Sequence, residues 1–121
     1  ATWTPMRLPR EVELHDVWGT GHHDVFAVGV EGTLLHYDGV SWARMPLPTD
    51  ADLHGVWGTG RNDVFVVGDR GTVLNYDGES WSPLRWDPGQ ISSVWGASPG
   101  NVLFAGEGGR IHELLRTAPA R

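Results

Sequence analysis

Apolar residues in this chain fall in short runs separated by turn-forming residues. Leu14 to Trp18 is apolar at alternate positions, Val25 to Val28 is a compact run, Thr33 to Tyr37 is β-branched and aromatic, and Trp42 to Leu47 is a weaker run carrying Pro46. Period-two alternation and compact β-rich runs both predict strands. No stretch holds apolar residues at helical spacing without a Gly or Pro inside it, so helix is the weaker reading.

The runs recur at lags of 39 and then 38 residues. Leu14-His15-Asp16-Val17-Trp18-Gly19 returns as Leu53-His54-Gly55-Val56-Trp57-Gly58 and as Ile91-Ser92-Ser93-Val94-Trp95-Gly96. Asp24-Val25-Phe26-Ala27-Val28-Gly29 returns as Asp63-Val64-Phe65-Val66-Val67-Gly68 and, loosely, as Asn101-Val102-Leu103-Phe104-Ala105-Gly106. Gly32-Thr33-Leu34-Leu35-His36-Tyr37-Asp38-Gly39 returns as Gly71-Thr72-Val73-Leu74-Asn75-Tyr76-Asp77-Gly78, with a degraded third copy at Gly109-Arg110-Ile111-His112-Glu113-Leu114.

A unit of about 40 residues holding four short strands predicts one blade of a β-propeller. A linear β-solenoid is the rival, but its repeats are usually shorter, roughly 20 to 30 residues. Glu31-Gly32, Arg70-Gly71 and Gly108-Gly109, and one hairpin later Asp38-Gly39 and Asp77-Gly78, stand where tight turns need positive φ. Pro46, Pro48, Pro83 and Pro88 fall in or after the fourth run, which predicts that the fourth strand is the outer one.

The expected fold is all-β, with four-stranded antiparallel blades, three per chain, in a single domain over residues 1–121 and repeats near 14–52, 53–90 and 91–119. Ala1-Thr2-Trp3 aligns with Val40-Ser41-Trp42 and Glu79-Ser80-Trp81, so residues 1–13 read as an orphan outer strand. The third repeat runs to Ile111–Leu115 and then to Thr117-Ala118-Pro119 in place of a fourth strand. Propellers close with about four to eight blades, so three leave two apolar faces open. Homodimerisation into one six-bladed ring is expected, with each N-terminal strand completing a third blade. The rival is a longer chain that supplies the other blades itself.

Written as Val56-Trp57-Gly58, Asp63-Val64-Phe65-Val66-Val67-Gly68, Gly71-Thr72-Val73-Leu74, Tyr76-Asp77-Gly78 and Ser80-Trp81, the repeat resembles those of large bacterial surface and secreted β-propeller proteins. That resemblance spans residues 1–119 and implies the fold and an extracellular or cell-surface location. It implies no particular ligand, because many unrelated activities use the scaffold. The Tyr-Asp-Gly-x-Ser-Trp corner is similar to the Asp-box of sialidase-type propellers, although it lacks one residue between Asp and Gly. The Asp-box likeness implies a structural role for Asp38, Asp77, Ser41, Ser80, Trp42 and Trp81. The catalytic arginine cluster and tyrosine nucleophile of sialidases have no matching motif here.

Composition removes several function classes. The chain has 121 residues and a net charge of −6, and its nine cations, all Arg, are scattered among fifteen carboxylates. Phosphate backbones need clustered basic side chains, so no nucleic-acid partner is expected. No window approaches the roughly 18 consecutive apolar residues of a membrane span, so no membrane insertion is expected. Cys is absent, which removes disulfides and thiolate metal sites. No cofactor is expected.

Seven Trp invite a sugar-stacking reading. However, Trp18, Trp57 and Trp95 share one repeat position and Trp3, Trp42 and Trp81 another, which predicts a structural repeat core that fills the wedge between blades. Trp86 aligns with Leu8 and Leu47 as a larger apolar filler. His22 and His23 read as solvated loop histidines, and no metal site is expected. Asp24, Asp63 and Asn101 precede the second strand and read as turn residues that bond their own backbone.

His15 and His54 begin the first strand of adjacent repeats, where a propeller has its channel, and could bind an anion or sense pH. Glu31, Asp69, Arg70 and Glu107 sit in the second-to-third-strand turns and could form an acidic ring that holds a cation, a polyol or a basic peptide. The expected function is a non-enzymatic binding module that recognises a glycan or a protein. The alternatives are a purely structural, self-assembling propeller fragment and, remotely, a glycosidase- or lyase-like enzyme, which needs paired carboxylates about 5 to 10 Å apart.

Overall fold

The computed structural model describes residues 1–9, 11–84 and 90–116. Trp86, Pro88 and the part of the third repeat beyond Arg116 lie outside them. The first repeat forms β1 (Leu14–Gly21), β2 (Asp24–Gly29), β3 (Leu34–Tyr37) and β4 (Trp42–Arg44). The second forms β5 (Leu53–Gly60), β6 (Asp63–Gly68), β7 (Thr72–Tyr76) and β8 (Trp81–Pro83), and the third forms β9 (Ile91–Ser98), β10 (Asn101–Gly106) and β11 (Ile111–Leu115). Each repeat is one antiparallel sheet ordered as in the chain, with four, four and three strands. β4 and β8 lie at the sheet edges, and Pro83 ends β8 opposite Leu74.

The hairpins follow from their turn residues. Between the second and third strands, Glu31 and Gly32 have φ of 56° and 68°, Arg70 and Gly71 of 58° and 68°, and Gly108 and Gly109 of 75° and 73°. Two successive left-handed residues match the right-handed twist of the flanking strands. One hairpin later, the Asp38 carboxylate accepts the N–H groups of Val40 (2.9 Å) and Ser41 (3.0 Å), and Asp77 those of Glu79 (2.8 Å) and Ser80 (2.9 Å). These backbone bonds, the serine one foremost, hold both carboxyls below the usual range.

β1 packs on β5 and β5 on β9, so the first strands are innermost and the sheets face one another as successive blades. Between blades one and two, Phe26, Val28 and Leu34 meet Leu53, Val56, Val64, Val66 and Leu74. Between blades two and three, Phe65, Val67 and Val73 meet Ile91, Val94, Val102 and Phe104. Trp18 and Trp57 lie at equivalent places in these two seams. Each indole covers a glycine of the next blade. A Cβ on Gly58 would stand 2.8 Å from Trp18 Cη2, and one on Gly96 would overlap the Trp57 ring. Trp42 and Trp81 are half-buried on the outer strands, stacked near Tyr37 and Tyr76.

Two expectations are not met within a single chain, and one, for Asp24 and Asp63, is corrected. Trp95 and Trp3 are exposed: the blade that Trp95 would face is not present in one chain, so its wedge position has nothing to fill. Residues 1–9 form no strand within one chain. Asp24 and Asp63 are buried and bridge strands instead of bonding their own turn. Asp24 accepts from Thr20 and pairs with His36 on β3 (both 2.7 Å), while Asp63 accepts from Thr59 (2.7 Å) and from Asn75 on β7 (3.1 Å). Asn101 repeats the pattern with Glu113 on β11.

Candidate functional site

The start of each inner strand lies beside the turn between the second and third strands, because Leu14 pairs with Gly29, Leu53 with Gly68 and Ile91 with Gly106. One residue earlier, the carbonyls of Glu13, Asp52 and Gln90 accept the N–H groups of Val30 (3.1 Å), Asp69 (2.9 Å) and Glu107 (2.8 Å). These bonds hold the three turns against the three strand starts. All the residues read from the sequence as ligand candidates therefore gather at one end of the blades.

His15 and His54 are brought face to face, with ring centroids 5.2 Å apart and planes 17° from parallel. His15 Nδ1 donates to the Leu53 carbonyl at 2.8 Å, and Nε2 lies 2.9 Å from the Glu13 carboxylate. Both partners are acceptors, so both bonds form together only in the imidazolium. The Glu13 bond, and after it the Leu53 carbonyl, raise the His15 pKa above 6.5 against the opposing effect of burial.

His54 Nε2 is 2.7 Å from Asp69 Oδ1 and 3.4 Å from the Gln90 amide nitrogen. The Gln90 N–H donates to Glu107 at 3.2 Å. A polar row thus crosses the three blades from Glu13 through His15, His54 and Asp69 to Gln90 and Glu107. Glu31 and Arg70 stand beside the row. The Glu31 N–H donates to Asp52 (2.8 Å), its side chain is solvent-facing, and Arg70 pairs with Asp50 at 2.8 Å on the surface.

Sequence reasoning missed Glu13, Asp52 and Gln90. The signal was available, since each stands one residue before the first apolar position of its repeat and each is polar. His15 pairs with Glu13, His36 with Asp24 and His54 with Asp69. Among the described residues, these three imidazoles bond carboxylates, a backbone carbonyl and the Gln90 amide. Among the described residues no group of His and carboxylates could hold a metal ion. His22 and His23 are exposed, at 5.1 Å from each other.

Comparison of the sequence with family profiles and with curated proteins finds no match. Among solved structures the chain is similar to "YCF48 bound to D1 peptide", with a TM-score of 0.80 and 24% identity. The match covers 95% of this chain and 40% of that one, so this chain spans less than half of its neighbour. The likeness shows the fold: a β-propeller built, over these residues, from three blades.

Proposed function

We propose that this chain is a non-enzymatic propeller module that binds a segment of another protein on the face formed by the inner-strand starts. The observation that carries the reading is the polar row across three blades, from Glu13 and His15 through His54 and Asp69 to Gln90 and Glu107. Carboxylates outnumber cations along it, with Asp50, Asp52 and Glu31 beside it. Such a face suits a segment that carries basic or amide groups, and its binding should weaken with salt. The similar structure is of a protein bound to a peptide, which supports a protein ligand over a glycan. Sugar stacking needs free indole faces, and the exposed indoles among the described residues, Trp3 and Trp95, share repeat positions with tryptophans that pack at the blade seam.

In this reading the ring is completed to six blades by a second copy, and the protein works outside the cell or at its surface, as its repeats suggest by resemblance. Selection of displayed random peptides on the wild-type protein is the test. Enrichment of basic peptides, lost on His54→Ala and Glu107→Gln, is expected. Selected peptides indifferent to both substitutions, or saturable glycan-array binding competed by soluble sugar, would overturn it.

A further inference from the structure

The two blade seams inside the chain use the same parts. The leading face of blade one presents Trp18 and Phe26 to blade two, and that of blade two presents Trp57 and Phe65 to blade three. Equivalent positions on blade three are Trp95 and Leu103, which pair with each other across β9 and β10. The receiving face of blade two offers Gly58 under the Trp18 ring and Val56 beside it. Blade one carries the equivalent Gly19 and Val17, and the atoms nearest Gly19 all come from its own sheet.

Blades one and three therefore each present half a seam on their outward sides. Exposure marks both halves. Val17 is 60% exposed where its equivalent Val56 is 4%, and Ile111 is 71% exposed where Val73 is 3%. Trp95 is 58% exposed, and Leu115, on the same side of β11 as Ile111, is 69% exposed. On blade one, Leu14, Val17, Ala27 and Trp42 line an open hollow of about 400 Å³.

We propose that these halves join between two copies of this chain, Trp95 of one copy seating over Gly19 and Val17 of the other, as Trp18 seats over Gly58 and Val56. The occupant is a second copy because the chain carries both complementary halves, set at the two ends of one arc of blades. Two such arcs close with two-fold symmetry and leave neither half open. Six blades is within the usual range of about four to eight. In the joined ring the N-terminal segment of the second copy lies next to β11, where Trp3 takes the outer-strand place that Trp42 and Trp81 hold in blades one and two and covers Leu114. The proposal rests on the six-bladed reading above and adds its joint.

Sedimentation of the 121-residue chain, with Trp95→Ser and Val17→Glu made separately, tests it. Wild type is expected at twice 13.3 kDa. Each variant should keep its circular dichroism and associate at least about 30-fold more weakly, as for a buried anchor residue. In an equimolar mixture the heterodimer has one intact joint, Trp95 of the Val17→Glu copy on Gly19 and Val17 of the Trp95→Ser copy, and one where the two substitutions meet and no indole buries the new carboxylate, so it should form more readily than either variant's homodimer. A wild-type monomer overturns both the ring and its joint. Dimers that survive both substitutions overturn the joint alone, and sensitivity to Trp95→Ser without sensitivity to Val17→Glu would show blade three pairing with itself.

Discussion

The Trp57 indole lies over Gly96 so closely that the three heavy atoms nearest to a Cβ placed there all belong to its ring. A bulky side chain and a missing one are thus a single packing unit, and β5 and β9 approach as near as they do because of it. Gly96→Ala should cost about 1–3 kcal/mol by overpacking, and Trp57→Ala about 2–3 kcal/mol by loss of a partly buried aromatic. The double variant should cost less than the sum, since removing the ring frees the space the methyl needs. Urea unfolding of all four proteins reads the coupling, and strict additivity would show that the two residues do not share the seam.

His15 makes stability depend on pH near neutrality. Its folded-state pKa is raised above 6.5, so its contribution is full below the unfolded value and disappears as pH rises through the folded one. The urea midpoint should therefore fall as pH rises from about 6 through the raised folded-state value. Glu13→Gln removes the largest cause of the shift, and its midpoint should change less over that interval. An identical pH profile for the two proteins would exclude the Glu13 bond as the source.

Blade three is clamped to blade two by Arg116, whose guanidinium binds both oxygens of Asp63, donates to the Pro99 carbonyl at 2.8 Å and stands 4.9 Å from the Phe65 ring centre. Burial pushes the Asp63 carboxyl up, but Arg116, Thr59 and Asn75 together outweigh it and hold the pKa below the usual range. Arg116→Ala should cost about 1.5–3 kcal/mol, and Arg116→Lys should restore only part, because a point charge cannot bind both oxygens over the ring. The contribution is present above the unfolded pKa of Asp63 and is lost as pH falls through the folded one. Equal stability of Ala and Lys variants would refute the clamp.

Glu31 and Arg70 hold left-handed backbone at φ 56° and 58°, a conformation that costs most side chains about 1 kcal/mol. Asn accepts it more readily. Glu31→Asn should raise Tm by a few degrees and Glu31→Ala should not, as read by thermal melting. A gain of equal size in both variants would trace the effect to charge instead of backbone.

The sequence alone determined the repeat, the strand count within it, the outer position of the proline-bearing strand and the turns at Glu31-Gly32, Arg70-Gly71 and Gly108-Gly109. These are local properties: alternation, positive φ and a missing N–H act within a few residues and are visible wherever they recur. It also marked His15, His54, Asp69 and Glu107, but it could not show that the two imidazoles stack or that Glu13 and Gln90 join them, since those contacts run between repeats. Tertiary structure alone separated the tryptophans. Trp18, Trp57 and Trp95 occupy the same place in their repeats, yet within these residues only the first two cover a neighbouring blade. Burial belongs to the seam between two sheets, and a seam exists only where both of its sheets are present.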